Sequence, residues 1–181
     1  MYKLSKSFDF CYGHRVYSQD VVAKYAGNSD CPCHRIHGHQ GKASIHMEAA
    51  KLDHRDFVID FKELGFVKRF LDDNIDHRFI VSTKDPEFER LVGISVDDIE
   101  NHVRPVYLLD GEVLMGYRII VGGVDEHLDS FFVVDFNPTS EKLAEWLYSG
   151  IQKLIDMSPF GCHVDYVEWS ETPKTSAVYG E

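Results

Sequence analysis

The chain has 181 residues, of which 44% are hydrophobic and 13% aromatic, and this mix predicts a single folded domain over residues 1–181 rather than a disordered chain. Its 19 Lys and Arg against 30 Asp and Glu give a net charge of −11, which argues against a nucleic-acid partner because phosphate binding needs clustered cations. No apolar run approaches the roughly 18–20 residues of a membrane span, and the first residues lack a signal core, so we expect a cytoplasmic protein without membrane partners.

Period-two alternation predicts two strands in the first fifty residues, over 3–17 and 35–50. The residues that share the apolar parity are Phe8, Phe10 and Tyr12 in the first strand and Ala43, Ile45 and Met47 in the second. Residues 18–34 between them contain the Gly, Asn and Pro of a loop. We therefore expect the two strands to pair antiparallel.

Two helices follow from apolar residues at helical spacing. The first is predicted from Asp60 to Leu71, with Asp60 as N-cap and Glu63 three residues later as in a capping box. The second is predicted to begin at Asn137 or Thr139 and to run to Leu154. Residues 162–170 alternate again and predict a last strand, which makes the fold class α+β with an antiparallel sheet.

The segment at about 81–132 is interpreted as an insertion of strands into this arrangement. A short helix is predicted over 86–92, and Asp110-Gly111 predicts a hairpin turn between strands at 106–109 and 112–115. Further strands are predicted at 118–121 and 131–136, on either side of Gly122-Gly123.

Three histidines extend the buried parity of the first two strands. His14 continues the parity of Phe8, and His37 and His39 continue that of Ala43. If the strands pair antiparallel, the three imidazoles converge at one end of the pair. Three protein ligands with an open fourth position are typical of catalytic zinc, so we predict a Zn²⁺ site. The remaining histidines lack such a pattern and are interpreted as unrelated to the site: His34, His46, His54, His102, His127 and His163.

Cysteines in the preceding loop offer further chemistry. The four cysteines, Cys11, Cys31, Cys33 and Cys162, are interpreted as thiols, metal ligands or nucleophiles rather than disulfides. Cys33 lies three residues before His37, and Cys31 five before it. Either thiol suits a fourth metal ligand, or a base or nucleophile whose pKa nearby positive charge lowers. Spacing alone leaves these alternatives open.

Two acidic positions complete the candidate set. Asp76 precedes His77 and can orient an imidazole for proton transfer, although the end of a helix is the plainer interpretation. Glu171 ends the last strand, where its carboxylate can accept two N–H groups from a heterocycle or simply be solvated.

Together these residues resemble the 6-pyruvoyltetrahydropterin synthase / 6-carboxytetrahydropterin synthase family, over about residues 5–80 and 133–180. The elements that carry the resemblance are Phe8-x-Phe10-x-x-x-His14, Cys33-x-x-x-His37-Gly38-His39, Ile59-Asp60-Phe61-x-x-Leu64, Asp76-His77, Pro138-Thr139-Ser140-Glu141 and Glu171-Thr172. The resemblance implies a T-fold (tunnelling fold), a four-stranded antiparallel sheet with two helices on one face. It also implies a homo-oligomer, a trimer or hexamer, with active sites between subunits.

The resemblance further implies a role for each site residue. His14, His37 and His39 would hold zinc, Cys33 would abstract a proton, and His77 with Asp76 would be the second acid–base group. Glu171, with Thr172 beside it, would bind the pterin ring. The implied substrate is 7,8-dihydroneopterin triphosphate.

The product separates the members of the family. A thiol three residues before His-Gly-His accompanies enzymes that form 6-carboxytetrahydropterin and acetaldehyde for queuosine biosynthesis, and a thiol five residues before it accompanies those that form 6-pyruvoyltetrahydropterin. This chain has both, and the flank His34-Arg35-Ile36 favours Cys33 and the carboxy product. A zinc-stabilised pterin-binding module without turnover is the other alternative. Arg15, Arg35 and Lys42 are candidates for steering the triphosphate.

Overall fold

The computed structural model describes residues 1–27, 30–120 and 126–181. Within these ranges the strands are β1 (Tyr2–His14), β2 (His37–Ala49), β3 (Arg78–Ser82), β4 (Val103–Leu109), β5 (Glu112–Ile119), β6 (Phe131–Val134), β7 (His163–Thr172) and β8 (Thr175–Tyr179). The helices are α1 (Gly65–Asn74), α2 (Phe88–Val92), α3 (Glu126–Asp129) and α4 (Ser140–Asp156), with 3-10 helices at Pro32–His34, Phe61–Leu64 and Val96–Asn101. None of the described helices has the length and apolar character needed to span a membrane.

The described strands form one sheet in the order β4-β5-β6-β3-β1-β2-β7-β8. The β1-β2-β7-β8 half is antiparallel throughout, as predicted. The sheet is nevertheless larger than the predicted four strands and is mixed, because β3 runs parallel to both β1 and β6. Strands β4 to β6, from the segment interpreted as an insertion, thus extend the same sheet.

Helices α1 and α4 cover one face of this sheet, which confirms the α+β class and the two-helix layer. The buried side of α1 is formed by Phe66, Val67, Phe70 and Leu71. That of α4 includes Leu143, Leu147, Ile151 and Leu154, at the spacing predicted from the sequence. These side chains share one core with Phe8, Phe10, Ala43, Ile45 and Met47 of the first two strands.

Local signals place the helix starts. Asp60 accepts a hydrogen bond from the Lys62 amide, and Glu63 accepts one from the Asp60 amide, so the predicted capping box is present. It opens a 3-10 turn, and α1 begins only at Gly65. At the second helix Thr139, rather than Asn137, is the N-cap, and its hydroxyl accepts the Lys142 amide.

The middle segment follows its prediction in part. Asp110 and Gly111 have φ of 42° and 83° and form the turn of the β4–β5 hairpin, as the turn signal predicted. The short helix begins at Phe88, two residues later than predicted. Strand β5 continues through the position where a separate strand was expected at 118, and Gly122-Gly123 lie outside the described residues.

Candidate metal centre and its surroundings

The pairing of β1 with β2 brings the three predicted histidines together. Its register runs from Tyr2 opposite Ala49 to His14 opposite His37, with Tyr12 opposite His39. Side chains alternate across a strand, so all three imidazoles point to the face that carries the core. The antiparallel pairing predicted from the sequence is therefore confirmed, and its register places the imidazoles at one end of the hairpin.

The donor atoms of these imidazoles converge on one point. His14 Nε2 lies 3.1 Å from both His37 Nε2 and His39 Nε2. One nitrogen from each ring lies within 4.8 Å of the others, and it is the one group of this kind among the described residues. His14 is fully buried, and the His39 side chain is 14% exposed. The arrangement has the shape of a three-nitrogen metal site with one side open.

Backbone carbonyls fix the tautomers of two of these rings. His14 Nδ1 lies 2.7 Å from the Pro138 carbonyl oxygen and His37 Nδ1 lies 2.8 Å from that of Arg35. A carbonyl only accepts, so each Nδ1 must donate, and the neutral ring then carries its lone pair on Nε2. Two lone pairs that face each other at 3.1 Å repel unless a proton or a cation lies between them. The donor chemistry thus fits a cation such as Zn²⁺.

Burial favours the neutral form of two of these imidazoles, His14 and His39. It lowers the pKa of His14 to about 4 and outweighs the hydrogen bond to Pro138 and the charge of Glu171, which both raise it. Burial also lowers the pKa of His39. A neutral imidazole is the form that binds metal, so the fold prepares the ligands for an ion at neutral pH.

Glu171 lies beside the imidazoles. Its Oε1 is 3.5 Å from His14 Nε2, and its Oε2 is 3.8 Å from His39 Nε2. It shares the inward parity of Val167 and Trp169 on β7, and its side chain is 21% exposed. A partly open carboxylate at this position can accept N–H donors from a ligand bound next to the imidazoles.

Cys33 is held near the same end of the hairpin. The amide of Val16 donates to the Cys33 carbonyl at 2.9 Å, which ties the 3-10 turn at Pro32–His34 to the chain just after β1. Burial raises the pKa of the Cys33 thiol to about 11, and a hydrogen bond with Cys31 and the charge of Glu171 add to the shift. Without a cation the thiol is therefore protonated, and the lowered pKa considered as one alternative from the sequence requires positive charge nearby. A bound metal would supply the missing positive charge.

Asp76 and His77 form a pair at a different place. His77 Nδ1 lies 2.9 Å from Asp76 Oδ2, although neighbouring residues seldom face each other, and the left-handed φ of 58° at His77 makes this contact. Asp76 Oδ1 accepts the Cys11 amide at 2.7 Å, which is the main reason why the pKa of Asp76 is lowered. The His77 side chain is 80% exposed; its ring pairs with Asp76, and its amide donates to the Cys11 carbonyl.

The structure also locates the remaining candidates. Thr172 hydrogen-bonds Thr175 across the β7–β8 turn and lines a polar cavity together with Lys42, on the sheet face opposite the core. Arg15 pairs with the buried carboxylate of Asp85 at 3.2 Å, so its charge is already balanced. Arg35 is exposed and contributes its carbonyl to His37.

A cavity of about 720 Å³ is separate from the histidines. Trp146, Tyr117 and Phe136 line it, and no imidazole does. We place the functional site at the histidines because metal-binding atoms converge there.

Comparison with known proteins agrees with this geometry. The family model described as 6-pyruvoyl tetrahydropterin synthase matches residues 3–181. The chain belongs to this family. It is 26% identical over 188 residues to the 6-carboxy-5,6,7,8-tetrahydropterin synthase of Aquifex aeolicus, which covers 99% of this chain and 98% of that protein.

Solved structures show the same fold. An uncharacterized protein from Wolinella succinogenes is 37% identical and superposes with a TM-score of 0.86, over 99% of this chain and 98% of that one. The 6-pyruvoyl tetrahydropterin synthase of Caenorhabditis elegans is 17% identical, with a TM-score of 0.55 over 99% and 95% of the two chains. The T-fold expected from the resemblance is thus confirmed.

Sequence reasoning about this 6-pyruvoyl tetrahydropterin synthase family member missed the role of one backbone group, the Pro138 carbonyl. The Pro138 carbonyl orients His14, and it comes from the residue before the Thr139 cap of α4. Backbone acceptors carry no side-chain signature, so only the cap motif itself could have pointed to this segment.

Tyr12 connects the histidine site to the core. Its ring packs against His14 and His39, with centroid distances of 5.2 and 5.6 Å, and its hydroxyl accepts a 2.9 Å hydrogen bond from the fully buried Trp169 indole. Sequence reasoning assigned Tyr12 to the core but did not see this bond.

We expect Tyr12→Phe to lower the free energy of unfolding by about 1–3 kcal/mol, because the buried Trp169 N–H loses its acceptor. Urea unfolding followed by Trp fluorescence measures the change. Tyr2→Phe is the matched control, since Tyr2 lies on the same strand and is 50% exposed. Equal losses for both variants would contradict the assignment.

Proposed function

We propose that this protein converts 7,8-dihydroneopterin triphosphate to 6-carboxy-5,6,7,8-tetrahydropterin, with release of acetaldehyde and triphosphate, in the 7-deazaguanine route to queuosine. The observation that carries the proposal is the three-imidazole site with a thiol and a carboxylate next to it. The name of the Aquifex aeolicus relative, which matches over nearly its whole length, supports the carboxy product.

His14, His37 and His39 would hold Zn²⁺ through Nε2 in this proposal. Bound there, zinc would act as a Lewis acid on the hydroxyl groups of the substrate side chain and would acidify the neighbouring C–H bonds. The Pro138 and Arg35 carbonyls keep two of the Nε2 atoms free of hydrogen, so the chain supplies oriented donors.

Cys33 would remove a proton from the substrate side chain. Its thiol has a raised pKa in the metal-free chain, so its use as a base depends on positive charge at the histidines. We favour Cys33 over Cys31 because its carbonyl accepts the amide of Val16, two residues after the His14 end of β1, which holds the Cys33 backbone close to His14.

Glu171 would bind the pterin ring by accepting N–H groups of its guanidine-like edge. Thr172 is adjacent in sequence but lines the cavity on the opposite face of the sheet, so its side chain would not share this contact. The two oxygens of Glu171 lie on the His14 and His39 side of the pocket, so a ring bound there would place its substituent near the metal.

His77, oriented by Asp76, would be the second acid–base group. Its exposed ring makes no hydrogen bond or ion pair to the histidine site within the described ranges. We therefore propose a homo-oligomer, a trimer or hexamer of single-domain subunits, in which His77 of one subunit completes the site of another. The sedimentation coefficient of the purified protein tests the assembly.

Product analysis tests the proposed reaction. Incubation of the zinc-loaded protein with 7,8-dihydroneopterin triphosphate should yield 6-carboxytetrahydropterin by mass spectrometry and one acetaldehyde per triphosphate. Triphosphate release without acetaldehyde would instead indicate 6-pyruvoyltetrahydropterin, the product in the family's name. No conversion, with pterin bound, would indicate a binding module.

A further inference from the structure

An arginine pair lies behind the turn that carries Asp76 and His77. Arg118, on β5, and Arg78, on β3, both approach the end of α1 and share the carboxylate of Asp129. Arg118 and Asp129 belong to the segment that the sequence suggested was an insertion. The cluster is outside the metal site and has no role in the reaction described above.

The turn needs external support. A non-glycine residue with a left-handed backbone costs roughly 1 kcal/mol or more and persists only where its surroundings hold it. His77 has a φ of 58°. On one side the turn is tied to β1, because the His77 amide donates to the Cys11 carbonyl at 2.7 Å and Asp76 accepts the Cys11 amide.

Arg118 holds the other side. Its side chain is 6% exposed, and Nη1 donates to the Asp73 carbonyl at 3.0 Å, in the last turn of α1. Carbonyls at a helix C-terminus lack intrahelical partners and carry partial negative charge, so a cation there stabilises the helix end. The Arg118 ion pair with Asp129 fixes the guanidinium in this position.

Arg78 continues the contact toward His77. Its Nη1 donates to the Asp76 carbonyl at 3.1 Å, and its Nη2 lies 3.5 Å from Asp129. The two guanidinium groups repel each other, and Asp129 is the carboxylate that faces both. Arg118, Asp129 and Arg78 thus form a continuous brace from β5 to the backbone between Asp73 and Asp76.

We propose that Arg118 and Asp129 are positioning residues for His77, so that the segment at 81–132 sets the orientation of the second acid–base group. The proposal rests on the proposed function of His77. Loss of the brace leaves the substrate and metal contacts in place but lets the His77 turn relax, and a displacement of about 1 Å can lower a rate about 100-fold.

Arg118→Met tests the brace, with Arg104→Met as the matched control. Arg104 lies opposite Arg118 on β4 and is exposed. We expect Arg118→Met to lower kcat at least tenfold with KM and bound zinc within twofold of the wild type, and Arg118→Lys to recover part of the loss. Arg104→Met should match the wild type. An unchanged kcat in Arg118→Met, or a loss that follows zinc content, overturns the proposal.

Hydrogen exchange separates this proposal from the proposed reaction. In Arg118→Met, amides in a peptide over 73–79 should exchange at least tenfold faster than in the wild type, and peptides of β2 should not change. The same difference in hydrogen exchange is expected even if the wild type does not convert 7,8-dihydroneopterin triphosphate. That failure would refute the proposed reaction but not the brace. If Arg118→Met does not fold, Asp129→Asn, a change at a 61% exposed side chain, should show the same two effects. If both variants show the hydrogen-exchange rates and the kcat of the wild type, the brace is refuted.

Discussion

Replacing Cys33 by alanine is expected to abolish turnover while zinc stays bound at the wild-type stoichiometry. A positioned general base contributes roughly 100- to 10,000-fold to a rate, so kcat should fall at least about 100-fold. His14 keeps its hydrogen bond to the Pro138 carbonyl and His37 keeps its bond to the Arg35 carbonyl, and neither contact involves the thiol. Zinc content by mass spectrometry and acetaldehyde release measure the two effects.

Cys31→Ala is the matched control for this experiment. Its thiol lies next to Cys33 and is partly buried in the same loop, but among the described residues the bond to the Val16 amide is made by Cys33 and not by Cys31. We expect it to retain most of the activity. Loss of zinc in Cys33→Ala would mean that the thiol is a fourth ligand and would favour the non-catalytic module. Loss of activity in Cys31→Ala alone would transfer the role of base to Cys31.

Replacing His39 by alanine is expected to weaken zinc binding by more than about 100-fold, beyond the 10- to 100-fold typical of a change in the residues that orient ligands. The metal-free variant should remain folded, because the β1–β2 pairing through Tyr12 and His39 is made by the backbone. Competition with a chromophoric chelator measures the affinity, and circular dichroism measures the fold.

His46→Ala is the matched control on the same strand. His46 occupies the opposite parity and stacks on Tyr166, with ring centroids 3.9 Å apart on the outer face. It should bind zinc as the wild type does. If His39→Ala kept the wild-type affinity, the ion would have to bind elsewhere, and the proposed chemistry would lose its Lewis acid.

The histidine site was predictable because it depends on two short-range rules. Parity placed His14, His37 and His39 on the buried side, and antiparallel pairing of neighbouring strands brought them together. These inferences needed only the period of a strand and the order of the elements. Glu171 was different: its place at the end of a strand left a solvated carboxylate open, and only the family resemblance gave it a role.

Other parts depend on tertiary context that the sequence does not display locally. Strand β3 is short, and its Ile80, Val81 and Ser82 are all buried, so it has no alternation to reveal it. Strand β8 follows β7 after a two-residue turn and was not predicted as a separate strand. The raised pKa of Cys33 arises from burial in the folded chain.

The position of His77 was the least accessible from sequence. The Asp76-His77 pair suggested proton transfer, yet the His77 ring makes no hydrogen bond or ion pair to the histidine site within the described ranges. What holds the pair is a set of backbone contacts with β1 and the arginines of β3 and β5. Such contacts join residues far apart in the chain and leave no periodic pattern.

All three imidazoles come from a single hairpin, and this has a consequence for how the protein can diverge. The ligand geometry is set by backbone pairing, so it is insensitive to the length of the connection as long as Val16 still meets Cys33. Closing a flexible connection twice as long costs only about 0.6 kcal/mol more in chain entropy. Residues 17–30 are therefore where insertions and deletions can accumulate during evolution while the same ion-binding centre is inherited unchanged.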